Sequence, residues 1–178
     1  MKTIELSDKD RLMLVNQFKI LDLLNNNHDH ENWIKILESG FVNNYQDLFF
    51  NISPEVSADV CERVYRILDL YRAIDTYKFH NPNDTEVISN HDSSFHGFDT
   101  NYELDHYVYA NFLFANSKYE ESAPKKSERQ FGISCLSKYV PMLRLWSTFD
   151  DSMKLTREQV LQILNCPRDE MYAHSDRK

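Results

Sequence analysis

The chain has 178 residues with only three glycines, and its 20 basic and 28 acidic side chains give a net charge of −8. So few glycines leave little provision for the positive-φ turns of β-hairpins, dinucleotide-binding folds and phosphate loops. The acidic surplus argues against nucleic acid as a partner, because phosphate binding needs a positive footprint, and no apolar run approaches the 18 residues of a membrane span.

Apolar residues make up 42% of the chain and aromatics 13%, enough for a self-sufficient core. Cys61, Cys135 and Cys166 are odd in number and far apart. They read as free thiols, two of them in the core, in a reducing compartment. The N-terminus, Met1-Lys2-Thr3, carries no apolar leader, so the expected location is the cytoplasm.

A first helix is predicted from Ser7 to Asn25, with Ser7 and Asp10 as its capping pair and Leu14, Phe18 and Leu21 as its stripe. Met13, Ile20 and Leu24 widen that stripe. A second helix starts from Asp29 as cap and stops at Gly40, where Phe41 suits a Schellman ending. Phe41, Tyr45, Leu48 and Phe49 continue as a short helix. Ser53-Pro54 signals the start of a long helix running to about Lys78, with Val56, Val60, Val64, Ile67, Tyr71 and Ile74 at helical spacing. It is expected to be the central helix of a bundle.

A polar stretch from His80 to Phe98 shows no period. Thr100 and Glu103 read as a capping box ahead of an aromatic-rich helix, Tyr102 to Tyr119. Glu120 to Lys126 is a second loop, where the basic cluster Lys125, Lys126 and Arg129 begins. Ser127 with Gln130 forms another box. Phe131 to Trp146 reads as one or two helices divided or kinked at Pro141. Thr156 and Gln159 cap a last helix that ends at Cys166-Pro167, and Arg168 to Lys178 read as a disordered tail.

Several constellations carry possible chemistry. Asn16-Gln17 interrupts an apolar helix and is expected to form a buried amide network or the polar floor of a pocket. His91, Asp92, His96, Asp99, Glu103 and His106 fall within sixteen residues. Asp99, Glu103 and His106 share i, i+4, i+7 spacing, which suits metal binding or acid–base work, against the plainer reading of a solvated helix start. His28-Asp29-His30-Glu31 is more simply a polar turn than a chelate. Arg168 and His174 have the R-x(4–6)-H shape of HEPN-type ribonucleases, against the plainer reading of two tail residues. Cys135 has no assignable base and reads as core. No cofactor motif is present, and no metal site is assigned.

Several segments together resemble the YfbU-like family. These are Arg11-Leu12-Met13-Leu14-Val15-Asn16-Gln17-Phe18-Lys19, Glu38-Ser39-Gly40-Phe41, Asp69-Leu70-Tyr71-Arg72-Ala73, Phe95-His96-Gly97-Phe98-Asp99, Lys138-Tyr139 with Met142-Leu143 and Trp146, and Leu155 to Leu164. They occur in family order from about residue 8 to 165. The resemblance implies an all-α fold of two helical parts and a bacterial cytoplasmic origin, and it implies no reaction. His96 departs from the family's usual Leu, and the Arg168–Lys178 tail extends past its usual end.

The expectation is an all-α multi-helix bundle with a long central helix. A single domain covers 1–167, in two helical parts at about 1–80 and 95–165, followed by the tail 168–178. The leading functional reading is a regulatory or protein-interaction role with homo-oligomerisation. The alternatives are a ribonuclease or metal-dependent hydrolase of a stress or defence system, and a small-molecule sensor with an aromatic pocket near Tyr107 and Trp146.

Overall fold

The computed structural model describes residues 4–124, 134–150 and 153–173. Among them the architecture is all helical, without strands. The order is α1 (Asp8–Asn25), α2 (Glu31–Ser39), α3 (Tyr45–Leu48), α4 (Ala58–His80), α5 (Thr85–Ile88), α6 (Leu104–Ala115), α7 (Leu136–Trp146), α8 (Arg157–Leu164) and α9 (Glu170–Ala173). The chain divides into two compact units, Met1–Glu55 and Val56–Lys178. The long helix α4 therefore opens the second unit, whereas the sequence put the division between residues 80 and 95. The box at Ser127 and Gln130, and Phe131, lie outside the described residues, as does the basic cluster at Lys125, Lys126 and Arg129.

Unit 1 is an α1–α2 hairpin with α3 against it. The expected Ser7–Asp10 box is formed: Ser7 Oγ accepts from the Asp10 amide, and the Asp10 carboxylate accepts from Ser7. Helix α2 starts one residue later than expected, after His30, and Asp29 does not cap it. Its end is as expected. Gly40 is left-handed at φ +70°, and the Phe41 amide donates to Ile36 O at 3.1 Å. The core of this unit is small, with Val15, Ile36, Leu37 and Tyr45 buried. Arg11 fastens the hairpin by donating to Leu37 O at 3.1 Å, and Lys19 pairs with Glu38 at 2.8 Å.

Unit 2 is built round α4. Val64, Ile67, Leu68, Leu70, Tyr71, Ala73 and Ile74 are almost wholly buried, a stripe too wide for a helix with one covered face. Helix α4 begins at Ala58, not after Ser53-Pro54. Ser57 Oγ accepts from the Val60 amide at 3.3 Å, so the cap falls four residues later than the sequence signal. The polar stretch 80–98 contains α5, capped by Asp84, and a 3₁₀ turn at His91–Ser93. Asp84 also accepts from Tyr77 Oη and from Arg157, which ties α4, α5 and α8 together.

Pro141 does not divide α7, which runs unbroken from Leu136 to Trp146. A proline has no N–H for the carbonyl four residues earlier. Here that carbonyl, Ser137 O, accepts instead from the Asp169 amide at 2.7 Å. The segment expected to be a tail is thereby pinned to α7 at its start. Asp169 also pairs with Arg144 at 2.9 Å, and α9 follows. Helix α8 carries the expected Thr156–Gln159 box.

A Cβ at Gly40 would lie 2.9 Å from Arg11 Nη1, in a backbone region that L side chains rarely adopt. Gly40→Ala is expected to cost about 1–2 kcal/mol. Urea unfolding of a Trp146→Phe background, which leaves Trp33 in unit 1 as the fluorescent reporter, measures it.

Candidate functional site

Asp99 precedes α6, and its carboxylate folds the chain back on itself. Its Oδ1 accepts from the Asn101 amide at 2.7 Å and from Tyr102 at 3.3 Å. Asp99, not Thr100, therefore organises this turn, and Asp99 is completely buried. Glu103 answers from the other side: its Oε2 accepts from the Asp99 amide at 3.0 Å. Its Oε1 accepts from Ser134 Oγ at 2.6 Å and from the Leu136 amide at 2.7 Å. One buried carboxylate thus joins the loop before α6 to the start of α7. Burial pushes the Glu103 carboxyl up, more than its hydrogen bonds from Leu136, Ser134 and Asp99 pull it down.

Glu103 and His106 line one cleft of about 490 Å³ with Arg63, Tyr102, Leu136 and Tyr172. Arg63 and Tyr172 continue into a neighbouring cleft of about 320 Å³ lined by Glu62, Arg66 and Arg144. Tyr172 comes from α9, in the segment the sequence read as tail. Helical spacing places Asp99, Glu103 and His106 on one face, but α6 begins only at Leu104, so the two acids belong to the turn. His106 is buried, with its ring 5.3 Å from Phe98.

His96 does not line this cleft. Its ring stacks on His91 at 4.1 Å, and its Nε2 lies 2.7 Å from His91 O. Asn16 and Gln17 are exposed on α1 in unit 1, so they form no buried amide network. Arg168 directs Nη1 to Ser137 Oγ at 3.3 Å, while His174 lies outside the described residues. The His28–Glu31 run is split: His28 faces Glu31 at 3.3 Å, and His30 meets Asp22 at 2.6 Å. Among the described residues no three His, Cys, Asp or Glu side chains are placed to hold a metal ion. Of the three cysteines only Cys135 is buried, and burial pushes its thiol up to about 12, which leaves it protonated and unreactive.

The residues that spacing missed cluster on the first turn of α7. Lys138 is buried, and its ammonium donates to Leu164 O at 2.7 Å and Cys166 O at 3.0 Å and pairs with Asp92 at 2.8 Å. Tyr139 Oη donates to Gly97 O at 3.0 Å and accepts from the His96 amide at 3.2 Å. The Lys138-Tyr139 pair was visible only as part of a family-like motif, with no sign of what it held. Burial alone would raise the Asp92 carboxyl. The Lys138 hydrogen bond and charge outweigh it and hold Asp92 below its ordinary value.

The description YfbU domain fits residues 4–166 of the chain. The chain is 35% identical over 166 residues to a UPF0304 protein of Methanocaldococcus jannaschii, covering 90% of this chain and 99% of the relative. It is 26% identical to a UPF0304 protein of Pasteurella multocida and 25% identical to one of Actinobacillus succinogenes. Each of these matches covers 91% of this chain and 99% of the relative. The relatives include an archaeal protein, so the likeness reaches beyond the bacterial origin expected from the sequence. None of these descriptions states an activity.

Asp92→Asn leaves the Lys138 ammonium with carbonyl partners alone, and is expected to cost about 3 kcal/mol at pH 7. A lowered carboxyl contributes stability above its unfolded value and loses it as pH falls through its folded value. The gap between wild type and variant should therefore shrink as pH drops below 3.8. Urea unfolding at pH 7, 4 and 3 measures it.

Proposed function

The chain belongs to the YfbU family, and on that premise we propose that it is a regulatory protein-interaction module that docks an apolar helical face through the outer side of α1. One observation carries this reading. Leu12, Met13, Ile20, Leu23 and Leu24 are 51–81% exposed along one side of α1. Apolar side chains exposed singly are ordinary, whereas a contiguous face of this size marks an interaction surface.

The opposite side of α1 is apolar as well, with Val15 buried and Leu14 and Phe18 packed beside it. A helix with apolar residues on two opposite sides suits a place between two partners. Unit 1 supplies one of them in α2.

The alternatives gain less from the geometry. Both oxygens of Glu103 are engaged by donors of the fold, which does not suit a hydrolytic base. Arg168 is turned to Ser137. Tyr107 lines a cavity of only about 10 Å³, room for about one water, and Trp146 is buried in the core.

A photo-crosslinking benzophenone residue placed at Leu23 in living cells should give a protein adduct of discrete mass. The same residue at Lys35, exposed on α2, should give none. Absence of an adduct at position 23 would remove the interaction reading.

A further inference from the structure

The outer face of α1 has a regular seam. Met13, Asn16, Ile20 and Leu23 follow one another at spacings of three, four and three residues, and Leu12 and Leu24 flank them. This is the 3.5-residue period with which one helix packs along another. Within the seam, a single polar residue interrupts the apolar side chains, and it is Asn16. It stands at the middle of the 18-residue helix Asp8–Asn25. A lone asparagine among apolar seam residues weakens a helix pair but fixes its register and its number of chains.

From this placement we propose that α1 pairs with α1 of a second copy about a two-fold axis, with Asn16 of each copy facing Asn16 of the other. The proposal rests on the interaction reading above and names its partner. A carboxamide carries both a donor and an acceptor, so two of them facing each other across a two-fold satisfy one another. A two-fold contact also requires a patch that is complementary to itself. The face meets that requirement, because Leu12 and Met13 lie on one side of Asn16, and Ile20, Leu23 and Leu24 lie on the other. A basic or acidic residue at the centre would repel its own copy, and the central position holds neither.

The area fits a pair of copies. The five apolar side chains, with Asn16 and Gln17 between them, present on the order of 700 Å², near the ~800 Å² that each partner gives a stable interface. Unit 1 also has reason to need the cover. Among the described residues, Val15, Ile36, Leu37 and Tyr45 form its buried apolar core, a small number for a unit spanning Met1–Glu55. Pairing adds the seam to that core.

Sedimentation equilibrium of the full chain tests the pairing. The wild type should be a dimer at micromolar concentration. Leu23→Glu should weaken association at least tenfold while helix content by circular dichroism stays unchanged, because Leu23 is 81% exposed and packs in neither core. The residue-specific arm uses Asn16→Asp and Asn16→Lys. Each should be monomeric alone, through like charges facing across the axis, and an equimolar mixture should form the heterodimer. That arm remains decisive even if Leu23→Glu does not fold.

A wild-type monomer would overturn the proposal. So would a dimer unaffected by Leu23→Glu, or charge variants that fail to pair when mixed. A monomer whose melting temperature falls on Leu23→Glu would mean that the face is covered within its own chain. A monomer that still gives a heterologous adduct at position 23 would leave the interaction reading standing and remove this one.

Discussion

The second unit depends on a buried ammonium group. Lys138 sits on the first turn of α7 with almost no exposure and three oxygen partners: Asp92, Leu164 O and Cys166 O. Removing a charge from water costs several kcal/mol, which only a full set of partners offsets. Those partners come from the 3₁₀ turn before α6 and from the end of α8, so the ammonium is satisfied only when both have docked. The neighbouring residues act in the same way. Leu136 gives its amide to Glu103, Ser137 gives its carbonyl to Asp169, and Tyr139 holds Gly97 and His96. Four consecutive residues thereby fix the loop before α6, the close of α8 and the C-terminal segment against α7.

Pro141 makes part of this possible. In an ordinary helix Ser137 O would already accept from the amide four residues on, and Asp169 would have to share it. The proline frees that carbonyl, and a segment just past the family-like region takes it. Tyr172 then reaches the wall of the clefts beside Arg63. The residue that reads as a helix breaker here frees a docking point.

Local signals were legible in the residues. The Ser7–Asp10 and Thr156–Gln159 boxes and the left-handed Gly40 depend on chemistry within a few residues, and each is where spacing put it. Signals that depend on distant partners were not. Glu103 stood out as a candidate for metal binding or acid–base work because two of its donors, Ser134 and Leu136, lie more than thirty residues away and leave no local sign. Pro141 looked like a break because Asp169 is far along the chain. Asn16 looked buried because α1 is apolar on both sides, and periodicity does not say which side faces the core. The two units accordingly differ in character: one closes its core round α4, and the other leaves an apolar helix face outward.

The most direct test of the fastening at α7 is amide hydrogen exchange on Lys138→Met. Methionine matches the stem of lysine and removes only the charge and its three contacts, so global stability alone is a poor reporter. Residues 91–103 and 164–173 should exchange about tenfold faster together, while the buried stretch of α4 keeps its protection. Unchanged exchange in both segments, or a loss confined to the residues beside position 138, would contradict it.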